Sequence, residues 1–494
     1  ALAGGRDIVA ETVSDDATVR RIIRERTFAV GIFKSLAKDQ DNPGNYEMYK
    51  EFGEPVKTIP PHRVLAINRG EREDVLKVWI DVEEAELVQE ILSVYPLNPK
   101  CIFSDELLTA SADAYHRLIA PAIEREIRHD LTANADDHAI RVFAQNVRAL
   151  LMAPPLRDKI IMGIDPGFRT GCKVAVIDET GKYLEGATIY PHEPQKRWLE
   201  AKETVRELLE DYQVDIVAIG NGTASRETEK LVAEVLQETK RDVFYAIVNE
   251  AGASVYSASP VAKSEFPDLE ASQRGNISMA RRLLDPLSEL VKIDPKSIGV
   301  GLYQHDVDQL KLATSLDQVV ESVVNNVGVN LNTASVSLLK YVSGINARSA
   351  ENIVRFREEH GPFTCREELR KVKGIGDNSF VQAAGFLRIP EADLFFDSTA
   401  VHPESYTAAD RLISQLGLTV ASVKQDGRQV QQAMAKTKKT LMQLSESCGC
   451  GQETLQDIIA CLEKPGRDPR DEMPKPVLRS DVLSIDDLSV GMIL

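Results

Sequence analysis

Two short glycine-containing segments in the second half of the chain have the residue types of a phosphate-binding turn. They read Val342-Ser343-Gly344-Ile345-Asn346 and Val372-Lys373-Gly374-Ile375-Gly376, and each lies between two stretches with apolar residues at helical spacing. Glycine permits a positive φ and lets a ligand approach the backbone closely. The helix that follows each turn begins with unpaired N–H groups and the positive end of its dipole. Each segment is therefore a candidate site for an anion such as a phosphate group.

The residues that we predict to contact such a phosphate lie in and beside these turns. They are Gly344, Asn346, Arg348, Lys371, Lys373, Gly374, Gly376 and Asn378, with Lys340 and Arg388 adding further positive charge. Contacts of this kind go to the nucleic-acid backbone and carry no base information. The alternative is a glycine turn between two helices that merely pack together, but two similar units with basic residues beside both favour binding. The segments resemble the helix-hairpin-helix module, and Asn346 in place of a second glycine makes the first unit the weaker candidate.

A different segment, Gly163-Ile164-Asp165-Pro166-Gly167, resembles the opening of ribonuclease H-like domains of the YqgF branch. In active members of that family, an Asp here is one of several carboxylates that hold two Mg²⁺ ions for phosphodiester hydrolysis. The resemblance places a second acid at Glu250, but the late helix that carries the third acid in the family has no carboxylate between Gly275 and Arg282. Asp306 could substitute from farther along the chain. We treat Asp165, Glu250 and Asp306 as candidate remnants of a catalytic site and assign no catalytic residue.

The composition limits the classes of function. A net charge of −17 argues against a surface that binds nucleic acid everywhere, although an acidic body can still carry one local basic site. No stretch approaches the roughly 18–20 apolar residues of a membrane span, and the first residues do not resemble a secretory signal. Six scattered cysteines indicate reduced thiols and a cytoplasmic location. Cys448, Cys450 and Cys461 lack the spacing of a usual zinc site, so we predict no metal and no cofactor, except Mg²⁺ if the chain is a nuclease.

The pattern of apolar residues predicts the elements that position these sites. Helical spacing covers residues 1–28, 103–150 and most of 313–470, while residues 63–71 and 75–80 indicate two short strands around a turn. Between residues 160 and 248 the order is strand, strand, strand, helix, strand, helix, strand, which is typical of an α/β domain with a mixed sheet. Prolines after Lys464 mark a linker, and residues 488–494 resemble the first strand of another β domain.

The predicted fold class is a multidomain, mainly α protein with one α/β ribonuclease H-like (YqgF) domain and tandem helix-hairpin-helix motifs. The predicted segments are the end of a helical region at 1–28, a helical central domain with a short β-hairpin at 29–155, the YqgF-like domain at 156–312, the tandem hairpins at 313–392, a further helical domain at 393–473, and a linker with the first strand of a truncated S1 domain at 474–494.

Taken in order, these segments resemble the Tex family of bacterial transcription accessory proteins. The resemblance covers nearly the whole chain and is carried by 163–167, 299–307, 342–346, 382–389 and 401–406. It implies a cytoplasmic protein that acts with the transcription machinery, and it implies a helical region before Ala1 and an S1-type RNA-binding barrel after Leu494. The barrel type binds single strands by stacking and charge.

Three functions remain open from the sequence. The first is sequence-nonspecific binding of RNA or DNA backbones, motivated by the paired hairpins. The second is a Mg²⁺-dependent nuclease related to ribonuclease H and resolvases, motivated by Asp165 and Glu250. The third is a protein scaffold that docks RNA polymerase or the ribosome, which the acidic net charge suits. No membrane partner is expected.

Overall fold

The structure is a computed structural model, and it describes residues 2–98, 100–437, 439–466 and 468–480. The chain divides into two compact units. One contains Ala1–Ala144 with Val300–Ser315, and the other contains Gln145–Gly299 with Leu316–Leu494. The predicted α/β domain extended to residue 312, whereas residues 300–315 cluster with the N-terminal unit.

The N-terminal unit combines helices with one small sheet. Its helices are α1 Leu2–Asp15, α2 Ala17–Val30, α3 Pro61–Arg72, α4 Glu84–Val94, α5 Ser104–Asp113 and α6 Ala120–Leu151, which continues past the unit boundary. Its strands are β1 Ile32–Ala37, β2 Glu51–Pro55 and β3 Leu76–Asp81, and they pair antiparallel in the order β2-β1-β3. The helical predictions for 1–28 and 103–150 are confirmed, with a single π turn at Ala114–Ile119 between α5 and α6.

The predicted hairpin of residues 63–71 and 75–80 is wrong in its first half. Residues 63–71 lie within helix α3, which begins at Pro61 and buries Val64, Leu65, Ala66 and Ile67. A short run of four buried apolar residues does not distinguish a strand from a helix by its period. Proline at the first helical position is the signal that favours the helix, because its fixed φ suits that position and its missing N–H costs nothing there.

The second unit contains the predicted α/β domain, and the order of its elements is confirmed. The elements are β4 Ile161–Asp165, β5 Cys172–Ile177, β6 Tyr183–Ile189, α7 Trp198–Asp211, β7 Ile216–Gly220, α8 Ser225–Glu238 and β8 Phe244–Val248. The strands form one sheet in the order β6-β5-β4-β7-β8, in which β4, β7 and β8 are parallel and β5 and β6 are antiparallel to their neighbours. The mixed sheet is therefore as predicted.

Both faces of this sheet are covered by helices. After β8 come α9 Ala253–Ala258, α10 Pro260–Glu265, α11 Ala271–Leu284 and α12 Pro286–Leu290. Met162 and Ile164 pack with α7 and α8 on one face. Ile161 packs with Ile277 and Leu283 of α11 on the other. Since neighbouring side chains of a strand point to opposite faces, strands buried on both sides read as the continuous apolar runs seen in the sequence.

The remainder of the second unit is helical, as predicted. Its elements are α13 Gln309–Val327, which begins in the N-terminal unit, then β9 Val329–Asn330, α14 Val336–Leu339, α15 Ala347–His360, α16 Asp377–Ala384, β10 Leu387–Arg388, α17 Tyr406–Gln415, α18 Val420–Gln425, α19 Arg428–Lys436, α20 Leu441–Cys448 and α21 Gln452–Glu463. The two short strands β9 and β10 pair in parallel. The predicted strand at 488–494 lies outside the described residues. Within the described residues, no helix combines the length and apolar character needed to cross a membrane.

Candidate nucleic-acid interface

The second hairpin, residues 372–376, presents unpaired backbone amides at the start of α16. Gly374 has a φ of +91°, which turns the chain back, and Gly376 then stands as the N-cap of the helix without a side chain to cap it. In the described part of the chain, no acceptor takes the amide hydrogens of Gly376, Asp377 or Asn378. All three residues are exposed. Unpaired amides at a helix start, together with the helix dipole, form a site for an anion.

The charged side chains around the second hairpin differ in their availability. Lys373 is exposed and makes no ion pair among the described residues, whereas Lys371 lies 3.0 Å from Glu368. Asp377 places a carboxylate beside the free amides and is paired with Arg370, whose guanidinium lies 4.0 Å from the ring centroid of Phe380. The approach of a phosphate is therefore favoured by Lys373 and opposed in part by Asp377.

The first hairpin, residues 342–346, has the same backbone path, and the amides of Asn346, Ala347 and Arg348 also have no acceptor in the described part of the chain, but two other amides are taken. Gly344 has a φ of +81°, and the Asn346 side chain caps α15 by accepting from the Ser349 amide at 2.9 Å. The amide of Ser343 is bound by Asn325 Oδ1 of α13 at 3.1 Å. Asn346 and Arg348 are exposed, while Gly344 is half-buried. The side chain of Asn346 thus caps α15, whereas Gly376, at the same position of the second hairpin, has no side chain to cap α16.

Each hairpin packs against the helix that follows the other. A Cβ at Gly344 would lie 2.8 Å from Gln382 Cβ of α16, so only glycine fits there. In return, Ser349 Oγ donates to the Gly374 carbonyl at 3.2 Å and Asn352 Nδ2 donates to the Lys373 carbonyl at 2.7 Å, both from α15. The contacts from α15 use carbonyl groups of the second hairpin and leave the amides of Gly376, Asp377 and Asn378 free.

The predicted contact residues are therefore brought into two related turns. Seven of them are exposed, namely Asn346, Arg348, Lys371, Lys373, Gly374, Gly376 and Asn378. Arg388 differs from the prediction, because its side chain lies against Gly328 in the interior and burial lowers its pKa. Lys340 is exposed and lies 4.8 Å from the ring centroid of Tyr341.

The acidic residues of the α/β domain form a separate and incomplete site. Asp165, at the end of β4, and Glu250, just after β8, line a cavity of about 210 Å³. Burial and the charge of Glu250 raise the pKa of Asp165 to about 6. Glu250 lies over the turn between β7 and α8, where a Cβ at Gly220 would be 2.7 Å from its Oε2 atom. The two glycines of that turn, Gly220 and Gly222, leave the space that this carboxylate occupies.

This pair does not fit two Mg²⁺ ions. The side of the cavity formed by α11 contributes Ser272, Gly275 and Met279. Asn276 of the same helix is buried and donates to the carbonyl groups of Gly163 and Lys173 at 3.1 and 2.9 Å, so it supports the sheet. Within the described residues, no group of three or more His, Cys, Asp or Glu side chains could hold a metal. Two metals held by two carboxylates would lack ligands.

Asp306 is not one of the residues that line this cavity. It belongs to the N-terminal unit, its side chain is 4% exposed, and it accepts from both Arg69 and Arg72. These arginines hold the pKa of Asp306 below its usual range despite burial. The carboxylate is therefore used to tie its loop to helix α3, which carries both arginines.

Comparison with known proteins places these features in a family. Models described as the Tex central region-like, Tex protein YqgF-like, helix-hairpin-helix motif and HHH domains match residues 1–143, 159–284, 324–388 and 395–470. The uncharacterized protein YdcI of Bacillus subtilis is 50% identical over the whole chain, which spans 68% of that relative. Protein tex of Bordetella pertussis is 44% identical over the whole chain, which spans 64% of it. The chain belongs to the Tex family.

The similarity to Tex proteins extends beyond bacteria. The S1 RNA-binding domain-containing protein 1 of Homo sapiens is 35% identical over 99% of the chain, and the chain spans 56% of that relative. The chain thus covers between 56% and 68% of the length of these three relatives.

The HHH match at residues 395–470 identifies hairpins that the sequence analysis described only as a helical domain. Gly449 has a φ of +76° and Gly417 a φ of +70°, and each is followed by an apolar residue and an extended N-cap, Gly451 before α21 and Thr419 before α18. This is the backbone path of Gly374-Ile375-Gly376. In this Tex chain the segment Cys448-Gly449-Cys450-Gly451 carries the sequence signal of such a hairpin, because apolar residues alternate with glycine.

Proposed function

We propose that this chain binds the sugar-phosphate backbone of RNA or DNA without reading its sequence, and that the second hairpin is its main contact in the described region. The observation that carries the proposal is the set of exposed amides at Gly376, Asp377 and Asn378, beside the unpaired cation of Lys373. A phosphate accepts hydrogen bonds from such amides and is attracted by the helix dipole.

The contacts proposed here explain why binding would be independent of sequence. Backbone amides and a flexible lysine reach phosphate oxygens, which are the same at every nucleotide. The first hairpin, with Arg348 exposed and Asn346 already capping its helix, acts as a second and weaker contact. The acidic net charge of −17 keeps the rest of the surface unfavourable for a polyanion and concentrates binding at these turns.

We place this binding in transcription, in the cytoplasm, as an accessory activity without catalysis. A relative from Neisseria gonorrhoeae, 41% identical over the whole chain, is named transcriptional accessory protein Tex. Docking of RNA polymerase or the ribosome is the alternative role, and retention of either partner after complete nuclease digestion would favour it over direct nucleic-acid binding.

The test is a set of titrations of this chain with oligonucleotides of unrelated sequence, single- and double-stranded, as RNA and as DNA. Lys373→Glu should weaken binding to all sequences by a similar factor and reduce the slope of log K against log salt by about 1. Lys240→Glu makes the same change of charge at an exposed lysine between α8 and β8, more than a hundred residues before Lys373, and should have little effect on affinity. Equal affinities for wild type and Lys373→Glu would refute the proposal.

A further inference from the structure

A second cavity in the α/β domain lies where its loops gather beyond the sheet. The loop after β4 and the loop after β6 contribute Phe168, Pro191, His192, Pro194 and Lys196, and the start of α8 closes the cavity with Glu227. Its volume is about 630 Å³. In α/β domains, ligands are commonly bound beyond the carboxyl ends of the parallel strands, and β4 and β7 end on this side.

Phe168 is held in place but is not buried. The residue is 37% exposed. Its ring meets His192 in an edge-to-face contact, with ring centroids 5.5 Å apart and planes at 69°. His192 is 6% exposed and is fixed by a 3.0 Å hydrogen bond with the buried hydroxyl of Thr228. Phe168 is therefore a positioned aromatic surface beside an open cavity.

The lining of this cavity carries one lysine and two carboxylates, and two further cations lie beside lining residues in the sequence. Arg169 follows Phe168 and Arg226 precedes Glu227, and both arginines are exposed and make no ion pair among the described residues. Lys196 is paired with Glu193, and burial lowers the pKa of His192, which therefore adds no charge at neutral pH. Glu227 is the one exposed carboxylate of the lining that has no such partner in the described part of the chain.

We propose that this cavity takes one unpaired base of a single-stranded nucleic acid, stacked on Phe168, while Arg169 and Arg226 attract the neighbouring phosphates. An aromatic side chain among cations is the general arrangement by which proteins bind single strands without regard to sequence, because every base has a π face. The inference rests on the proposed function, since the strand that reaches Phe168 is the one whose phosphates the hairpins bind. It differs in requiring a base, whereas the hairpins require only the backbone.

The experiment compares two strands of equal length and charge, a pyrimidine oligonucleotide and its fully abasic analogue, in titrations with this chain at fixed salt. Wild type should bind the strand with bases about tenfold more tightly, a typical effect of stacking one base. Phe168→Ala should bind both strands with the affinity that wild type has for the abasic strand. Phe168→Trp should still bind the strand with bases more tightly than the abasic strand. Leu199→Ala removes another exposed apolar side chain, at a residue that is 80% exposed and does not line the cavity, and should change nothing.

The outcomes separate the two proposals. In one outcome, Lys373→Glu weakens the binding of both strands while wild type and Phe168→Ala each bind the two strands with equal affinity. In that case the hairpins bind nucleic acid and the stacking site is refuted. If the preference for bases disappears in Phe168→Ala while Lys373→Glu has no effect, the stacking site stands and the hairpin proposal fails. Arg169→Glu serves as a second variant, because it should weaken the binding of both strands without disturbing the ring of Phe168. An unchanged affinity of Arg169→Glu for both strands would also overturn the inference. So would binding of a protein segment in the cavity with no binding of either strand.

Discussion

The hydroxyl of Ser349 donates a hydrogen bond to the carbonyl oxygen of Gly374 across 3.2 Å, and this contact joins the two hairpins. Ser349 lies in the first turn of α15 and is 4% exposed. The contact fixes the positive-φ residue of the second hairpin from its carbonyl side, so the following amides remain turned toward solvent. The first hairpin thereby serves as a support for the second.

Ser349→Ala should destabilise the protein and loosen the second hairpin. Loss of one part-buried hydrogen bond to the exposed Gly374 costs about 0.5–1.5 kcal/mol. Thermal unfolding followed by circular dichroism would show the lower midpoint, and nucleic-acid affinity should fall several-fold. Ser398→Ala, which removes a hydroxyl bonded to the carbonyl of Phe395 within one 3-10 turn, provides the control. Affinity unchanged in a destabilised Ser349→Ala variant would contradict the coupling.

Asp377→Asn should strengthen binding. The carboxylate of Asp377 stands at the first residue of α16, where it opposes a phosphate, and its removal also releases Arg370 from its ion pair. A surface charge of this kind is worth about 0.5–1 kcal/mol, which corresponds to roughly two- to fivefold in affinity. Glu359→Gln changes an exposed carboxylate near the other end of α15 and should leave affinity unaltered. Weaker binding by Asp377→Asn would speak against a phosphate at this position.

Asp165→Asn should stabilise the protein at neutral and alkaline pH but not in acid. Burial and Glu250 raise the folded-state pKa of Asp165 to about 6, above its usual value of 3.8. The folded state therefore binds a proton more readily than the unfolded state, and stability decreases as the pH rises from about 4 through about 6. The gain from removing the charge is about 1–3 kcal/mol after allowance for partial solvent screening. Unfolding midpoints at pH 8 and pH 4 would measure it, and an equal effect at both would refute this explanation.

The incomplete acidic site predicts that Mg²⁺ neither stabilises the wild-type chain nor supports cleavage of nucleic acid. Ser272→Asp would add a carboxylate to the cavity that Asp165 and Glu250 line, and Mg²⁺ should then raise its melting temperature. Isothermal titration calorimetry would confirm binding to the variant alone. Tight Mg²⁺ binding by the wild type that disappears in Asp165→Asn would show that two carboxylates suffice.

Much of the fold could be predicted because its elements carry strong local signals. The strands between residues 161 and 248 are buried on both faces, so they appear as short apolar runs whose order alone indicates the mixed sheet. Helix α3 was mistaken for a strand because its buried run is too short to show a period. Strands β1 and β2 were missed, and β2 alternates only between exposed and half-buried residues, which gives little apolar contrast.

The sites could be predicted only in part. The positive-φ glycines of both hairpins follow from sequence, since other residues rarely adopt that conformation. The interior position of Arg388 and the pairing of Asp306 with Arg69 depend on tertiary contacts between distant segments. The role of Phe168 also depends on tertiary contacts, because the cavity beside its ring is formed with the loop after β6.

The most direct test of the central claim replaces Gly376 by aspartate. Gly376 has φ −95° and ψ 179°, which any residue can adopt, and a Cβ there meets no atom within 4 Å. An aspartate N-cap would accept from the amide of Asn378 or Ser379 and place a negative charge beside the remaining free amides, and it should leave stability unchanged or higher by a few tenths of a kcal/mol. If those amides bind phosphate, Gly376→Asp should unfold at the wild-type temperature or above and bind every RNA and DNA sequence about tenfold more weakly, ~1.4 kcal/mol. Wild-type affinity in a stably folded Gly376→Asp variant would contradict the account.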